Sequence, residues 1–133
     1  LFLVYNKKDK NAANANSLDD LDLSRLMLLE EGHCLRDHTL SACPVGERKN
    51  DHRLKASSLP TLVEMVSSDL GFTLLPEIAL KNNMIHFNEA IEVKSIEDAP
   101  SRILALLTRK STPLQSEFDV ILQILQKITA HLE

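Results

Sequence analysis

The sequence lacks a hydrophobic run long enough to span a membrane, and no basic segment precedes its apolar N-terminal run. That arrangement does not fit a secretory signal peptide, which places a charged region before its apolar core. Positive charge is also scarce, with 15 Lys and Arg against 19 Asp and Glu and a net charge of -4. Because surfaces that grip nucleic acids are usually basic and clustered, we expect no direct nucleic-acid contact from this segment.

Cysteine is also rare, with two residues in a chain of 133, of which 44% are apolar. A chain of this size buries roughly two thirds of its unfolded surface and forms a core without disulfides or metals. With no secretory signal, we expect a reducing, cytoplasmic setting, where a Cys pair is more often redox-active than structural. The start on Leu1, within a short buried-strand pattern, indicates a fragment of a longer protein.

Apolar and polar segments alternate along the chain as buried strands alternate with helices. We expect buried strands at 1–5, 26–29 and 72–75, a further strand at 102–108, weaker strands at 53–57 and 85–87, and a surface loop over 6–16. A short helix is predicted to begin at Ser17, and a second helix covers 33–43. A third begins at Ser58 or Pro60 and ends at Gly71, and a short fourth begins at Pro76. The last helix covers 114–132. This order predicts an α/β domain with a mostly parallel sheet flanked by helices.

The C-terminal helix has the clearest pattern, because apolar residues recur in it every three or four positions. They are Leu114, Phe118, Ile121, Leu122, Leu125, Ile128 and Leu132. Such a stripe packs either against the sheet of its own domain or against a partner subunit, and core packing is the commoner case.

Residues able to do chemistry are concentrated around the first cysteine. Cys34 is expected in the first turn of the predicted helix, where unsatisfied amide N–H groups and the positive end of the helix dipole favour a thiolate. His33 and Arg36 add hydrogen-bond donors or positive charge nearby. Since the thiolate is the form that attacks peroxide oxygen, Cys34 is a candidate reactive cysteine.

Cys43 lies nine positions after Cys34. On one continuous helix the two Cα atoms would be roughly 13 Å apart, whereas a disulfide needs them within about 7 Å. A disulfide would therefore require the helix to unwind. Four interior residues are weaker helix formers than Ala or Leu and would ease that change: Asp37, His38, Thr39 and Ser41.

Other roles for the cysteines stay open. They could be small buried side chains without chemistry. Zinc accepts the ligand types present at Cys34 and His38, which share a helix face, and at His33, Cys43 and His52, yet no Cys-x-x-Cys spacing occurs. We therefore expect no metal and no cofactor. A Cys–His enzyme would also need an orienting Asn or Asp, and none is identifiable.

The segment 26–43 resembles the sensor segment of OxyR, the hydrogen-peroxide-responsive branch of the LysR-type transcriptional regulators. A second cysteine after eight intervening residues carries the resemblance, together with the run Gly32-His33-Cys34-Leu35-Arg36-Asp37. The stretch 56–66 and the unit 71–76 resemble the helix and the Gly-x-x-x-Leu-Pro unit common in LysR-type effector domains.

The resemblance implies a two-lobed regulatory domain similar to type II periplasmic binding proteins. Residues 17–100 would form the second lobe, which carries the cysteines, while 1–6 and 101–133 would supply the crossover and elements of an incomplete first lobe. The DNA-binding domain of such regulators would lie outside this sequence. By the same resemblance, Cys34 is the peroxide-reacting cysteine and Cys43 the resolving one. The polar residues of the pocket would be His33, Arg36, Asp37 and Arg102.

The function implied by the resemblance is that of a peroxide-responsive transcriptional activator. Its partners would be hydrogen peroxide, a thiol reductant for resetting, further copies in a dimer or tetramer, and DNA through the domain outside this sequence, with no membrane. The thiol would be consumed stoichiometrically, so the chain is not expected to be an enzyme. The alternative is an ordinary LysR-type effector domain that binds a small metabolite between its lobes, with incidental cysteines.

Overall fold

The computed structural model describes residues 1–43, 54–81, 88–97, 99–101 and 103–129. The chain divides into two compact units, residues 1–101 and 102–133. In the first unit the strands are β1 (Phe2–Asn6), β2 (Leu28–Leu29), β3 (Lys55–Ala56), β4 (Thr73–Leu75) and β5 (Ile91–Ser95). Its helices are α1 (Lys10–Asn14), α2 (Cys34–Ala42), α3 (Leu59–Ser67) and α4 (Glu77–Lys81), with short 3₁₀ turns at Leu18–Asp20 and Leu23–Arg25. The second unit contains α5 (Gln115–Thr129).

The strands form a mixed sheet. β1 lies between β4 and β5 and runs antiparallel to both, whereas β2 pairs with β3 in parallel. A parallel bridge between Leu26 and Phe72 joins the two groups, because the N–H of Met27 donates to the Phe72 carbonyl at 2.8 Å and the N–H of Phe72 donates to the Arg25 carbonyl at 3.1 Å. The resulting strand order is β3-β2-β4-β1-β5.

The α/β class is as predicted, but the three-stranded part of the sheet is antiparallel. Alternation of strands with helices correctly indicates parallel pairing for β2, β3 and β4, since helices α2 and α3 lie between them in the chain. It carries no information about β1, whose neighbours β4 and β5 are about 70 and 90 residues away in sequence. The direction of the first strand is therefore a tertiary outcome.

Alternate residues of the strands enter two hydrophobic clusters, as the period of two in a strand requires. One cluster contains Leu3, Leu28 and Leu74, and the other contains their chain neighbours Val4, Leu29 and Leu75. The second cluster is completed mainly by α3, through Leu62, Val63 and Val66. Together the clusters give the first unit a core on each side of its sheet.

The region expected to be a loop over 6–16 contains helix α1 and several buried residues. Asp9 is only 3% exposed, caps α1 by accepting the N–H of Ala12 at 3.0 Å, and pairs with Arg25 at 3.1 Å. Arg25 also bonds the carboxylate of Asp69 at 2.9 Å. The polar composition of this stretch concealed the helix, because its buried residues are two alanines, one ion-paired aspartate and Asn6, whose side chain donates to the Ser67 carbonyl.

Helix α3 begins as predicted, with the Ser58 hydroxyl accepting the N–H of Thr61. Its end differs from the prediction, since Asp69 rather than Gly71 takes the left-handed conformation, with φ of 59°. Gly71 is needed for another reason: a Cβ there would collide with the carbonyl oxygen of Arg25. This glycine allows the chain entering β4 to approach the chain entering β2.

Three expectations for the C-terminal third have different outcomes. The weak strand at 85–87 lies outside the described residues, and β5 follows at Ile91–Ser95 without having been predicted. Residues 103–109 form no β-ladder, so the strand expected over 102–108 is not found in the described part of it. The long final helix is confirmed as α5. Six of its described apolar side chains are exposed, those of Val120, Ile121, Leu122, Ile124, Leu125 and Ile128, while Phe118 is half-buried.

Candidate redox site

Helix α2 starts at Cys34, as the sequence predicts, after a tight turn at the end of β2. The turn includes Gly32, whose φ of +93° is a conformation that favours glycine. His33 is the N-cap residue in an extended conformation, and its side chain makes no capping hydrogen bond. The side chain of Cys34 is exposed, at the end of the helix where amide N–H groups lack helical partners.

The two cysteines lie at opposite ends of α2 and in opposite environments. Cys34 is the first helical residue and exposed, whereas Cys43 is the C-cap residue, only 3% exposed, and part of the first core cluster. The helix is continuous between them, and the Cys43 N–H donates to the Thr39 carbonyl at 3.2 Å. Nine residues at about 1.5 Å each separate their Cα atoms by roughly 13 Å. No disulfide joins the two cysteines, and that distance does not permit one in this conformation.

Arg36 is the third residue of α2, and its side chain is mostly buried, at 16% exposure. Its guanidinium is 3.9 Å from the Glu31 carboxylate and 3.4 Å from that of Asp37. The Nε atom is buried and has no hydrogen-bond partner among the described residues. Both carboxylates are largely exposed, so water screens these ion pairs and each contributes little to stability. The contact with Glu31 was not anticipated, and no sequence pattern would have indicated it.

The other predicted site residues differ in their exposure, and two of them lie outside the described residues. His33 and Asp37 are exposed beside Cys34, at the N-terminal end of α2. Arg102, together with His52, lies outside the described residues. His38 is half-buried on the same helix. Within the part of the chain that the structure describes, no group of three His, Cys, Asp or Glu side chains could hold a metal ion.

Helix α2 is weakly held in place. Leu35 and Thr39 are its only buried residues among the nine, and Leu40 and Ala42 are partly buried. The Ser41 hydroxyl donates to the His38 carbonyl at 2.8 Å, which is a local bond within the helix. The sequence identifies Thr39 only as a weak helix former. Its burial was not predicted, because a lone threonine in a polar stretch gives no signal of burial.

None of the helices in the described ranges is long and apolar enough to cross a membrane. Helices α1 and α3, which precede and follow α2 in the chain, each contribute buried residues to a hydrophobic cluster that also contains strand residues.

Comparison with known proteins places this fold. The family model for the LysR substrate binding domain matches residues 7–130. The chain is 78% identical over 132 residues to the HTH-type transcriptional regulator EstR of Acinetobacter baylyi, a match covering 99% of this chain and 44% of that protein. It is 32% identical over 135 residues to the DNA-binding transcriptional dual regulator OxyR of Escherichia coli, covering 100% of this chain and 42% of that protein.

Solved structures agree with the sequence matches. The reduced form of OxyR aligns with a TM-score of 0.74 and 26% identity, covering 96% of this chain and 59% of that one. The OxyR2 E204G regulatory domain of Vibrio vulnificus aligns with a TM-score of 0.73 and 27% identity, covering 96% of this chain and 62% of that one. The α/β class similar to periplasmic binding proteins is thereby confirmed.

The chain spans less than half the length of these two curated relatives. The comparisons extend to OxyR proteins at about 30% identity, while the relative at 78% identity is a different regulator, EstR. They support the family more firmly than the peroxide-responsive branch within it. With a family model matching most of its length, the chain belongs to the LysR substrate binding domain family, the regulatory part of LysR-type transcriptional regulators.

Proposed function

We propose that this chain is the redox-sensing regulatory domain of a peroxide-responsive transcriptional activator. One observation carries the proposal: an exposed Cys34 at the start of α2 and a buried Cys43 at its end, too distant to bond while the helix is intact. In that arrangement a local chemical event becomes a conformational one. The likeness to OxyR regulatory domains supports the same assignment.

The chemistry needs two thiols and one peroxide. The Cys34 thiolate attacks one peroxide oxygen, the O–O bond breaks, and the departing hydroxide takes a proton and leaves as water. The resulting sulfenic acid is then attacked by Cys43, which forms the S–S bond and releases a second water. Two thiols are oxidised and hydrogen peroxide is reduced to two waters. A dithiol reductant reverses the step, so the chain is a stoichiometric sensor and not an enzyme.

The neighbouring residues have proposed supporting roles. His33 and Arg36 would stabilise the thiolate and the departing hydroxide, and Asp37 would orient Arg36, with which it makes a contact at 3.4 Å. Arg102 would add a further positive charge to the pocket. These roles rest on the family resemblance and on the position of His33 and Arg36 beside the first turn of α2.

The remainder of the regulator would act on this switch. We assign residues 17–100 to the second lobe and 1–6 with 101–133 to the crossover and first lobe. The boundary between residues 101 and 102 supports the separation of the C-terminal segment, whereas residues 1–6 lie in the same compact unit as 17–100. DNA would be bound by a domain outside this sequence, in a dimer or tetramer whose subunit arrangement changes when α2 refolds. Sedimentation of the intact regulator tests the assembly: a monomer at high concentration would contradict it.

Mass spectrometry tests the redox step directly. The intact regulator carrying this chain is treated with one equivalent of hydrogen peroxide, alkylated and digested. We expect a peptide pair joined through Cys34 and Cys43. Cys34→Ser should show no such bond, and Cys43→Ser should hold a sulfenic acid at Cys34 that a dimedone probe labels. Unchanged thiols in the unmodified protein would refute the proposal.

An effector domain that binds a small metabolite is the second candidate. It is favoured by the family's description as a substrate binding domain and by the 78% identity to EstR. In that case Cys34→Ser would leave transcriptional activation unchanged. Loss of the peroxide response in Cys34→Ser, with DNA binding retained, would exclude it.

A further inference from the structure

Helix α5 carries apolar side chains on more of its surface than one packing contact requires. At 3.6 residues per turn they cover an arc of about 200°, whereas a helix that packs through one face typically shows a stripe of about 100°. Val120 and Ile124 lie about 110° around the helix from the centre of the main stripe, and they are 54% and 52% exposed. The main stripe consists of Leu114, Phe118, Ile121, Leu122, Leu125 and Ile128. Val120 and Ile124 therefore belong to a second face.

This second face has an apolar centre and one charge of each sign at its ends. Glu117, Val120, Ile124 and Lys127 follow one another at steps of three, four and three residues, which is the spacing of a coiled-coil contact. We call these four residues the α5 seam. Glu117 lies in the first turn of the helix and Lys127 in the last, and both are exposed. Ten residues separate them by roughly 15 Å along the axis, so they cannot pair within one helix.

The α5 seam is complementary to itself in one orientation only. When two copies pack antiparallel and are centred at Leu122, Val120 lies opposite the partner's Ile124, and Glu117 lies opposite the partner's Lys127. A two-fold axis generates the same contacts twice, as in most homodimers. Parallel packing would place Glu117 opposite the partner's Glu117 and Lys127 opposite the partner's Lys127, and like charges at these positions oppose association.

The helix dipole alone does not account for this arrangement. An acidic residue in the first turn and a basic residue in the last turn are stabilising on any side of a helix. The dipole therefore explains the signs of Glu117 and Lys127, but not their alignment with Val120 and Ile124. Asp119 shows the contrast, because it lies on another side of the helix and accepts a hydrogen bond from the Gln115 side chain at 3.0 Å.

We propose that the α5 seam is an interface between two copies of this chain, packed antiparallel. The proposal rests on the assembly of copies proposed above and does not depend on the redox step. A contact of three helical turns buries less surface than a dimer needs to be stable by itself. The α5 seam therefore adds to the other contacts of the assembly and sets the orientation in which two α5 helices meet.

Zero-length cross-linking tests the orientation. The intact regulator, with its thiols kept reduced, is treated with a carbodiimide, which joins a carboxylate to an amine in direct contact, and is then digested for mass spectrometry. We expect a peptide pair joined through Glu117 and Lys127. The pair must come from two copies, because the distance within one helix is too long. Absence of this pair while other cross-links form would overturn the proposal.

Reversing the charges tests the contribution to association. Glu117→Lys or Lys127→Glu places like charges opposite each other at both ends of the α5 seam and should weaken association by about tenfold. The double variant should restore association, because it exchanges the two charges. Sedimentation equilibrium of the intact regulator measures each effect. Asp119→Lys is the matched control, since it makes the same change of charge away from the seam and should leave association unchanged.

The outcomes separate the possible occupants of this face. If the rest of the same chain covers it, Glu117→Lys should lower the free energy of unfolding without changing association, and the proposal fails. Equal effects of Glu117→Lys and Asp119→Lys would also overturn it. A monomeric unmodified regulator would refute both the α5 seam and the proposed assembly. A successful reversal with thiols that do not react with peroxide would refute the redox function and leave the α5 seam standing.

Discussion

Helices α2 and α3 are both nine residues long and follow successive strands of the same sheet, yet they are held in different ways. Helix α3 has a serine cap and buries Leu62, Val63 and Val66 in one cluster. Helix α2 has no side-chain cap and buries only Leu35 and Thr39. Helix α3 is therefore anchored in the core by more large apolar side chains than α2 is.

The contrast matters because local opening needs an element whose loss leaves the rest folded. Opening α2 would remove Leu35, Thr39 and Cys43 from buried positions, together with parts of Leu40 and Ala42. Opening α3 would expose three large aliphatic side chains. The cysteines therefore lie on the helix of this pair that is cheaper to open.

The largest expected effect is in the core helix. Val66→Ala, at a site with no exposure, should lower the free energy of unfolding by about 2 kcal/mol, from two lost methylene equivalents and the cavity they leave. Urea unfolding followed by circular dichroism measures it. Leu35→Ala should reduce global stability less, because its loss is limited by the free energy that opens α2 alone. A greater global loss for Leu35→Ala would contradict the contrast.

Removing the cap of α3 and adding one to α2 should reduce the difference in stability between the two helices. Ser58→Ala removes the hydroxyl that accepts the Thr61 N–H and should destabilise α3 by about 1 kcal/mol. His33→Ser supplies a capping side chain that α2 lacks and should protect α2 by about the same amount. Site-resolved hydrogen exchange distinguishes the two helices. No gain of protection in α2 would show that its first turn is limited by packing and not by its cap.

The ion pairs of Arg36 on α2 should contribute less to stability than the helix caps. Arg36→Met keeps the apolar stem and removes ion pairs with two largely exposed carboxylates, so unfolding stability should change by no more than about 0.5 kcal/mol. Thermal unfolding of Arg36→Met beside Glu31→Gln checks this. A loss well above that value in Arg36→Met alone would identify the guanidinium as a major tie on the first turn.

The smallest effect on stability is expected from lowering the pH, and it should be confined to the turns around Asp20 and Asp22 and leave α2 unchanged. Hydrogen bonds from the backbone N–H groups of Ser17 and Asn16 lower the pKa of Asp20, and bonds from Ser24 lower that of Asp22. A lowered pKa in the folded state means that the stabilisation is complete above the ordinary carboxyl pKa and is lost as pH falls through the lowered value.

Amide signals of residues 17–24 should therefore broaden or shift below about pH 4, before the sheet is affected. Asp20→Asn should remove the pH dependence at Ser17. Helix α2 has no side-chain cap of this kind to lose. Loss of α2 signals ahead of those at 17–24 would contradict the assignment.

Much of the architecture was predictable because strong local patterns encode it. The strand before Glu30, helix α2 after the turn at Gly32, the Ser58 cap and the amphipathic α5 follow from periodicity, turn signals and capping chemistry. Helix α1 and strand β5 were missed because alanines and alternating charges give weak patterns. The positions of Cys34 at the start of α2 and of Cys43 at its end follow from the helix predicted over 33–43, and their separation follows from the helical rise.

The sequence by itself determined which residues could form helices, where α2 begins and ends, and that its two cysteines could not bond along an intact helix. Only the tertiary structure decided that β1 runs antiparallel to its neighbours, that Cys43 is buried while Cys34 is exposed, and that Thr39 is buried. The physical reason is that helix patterns and spacing are local, whereas strand direction and burial depend on contacts between residues far apart in the chain.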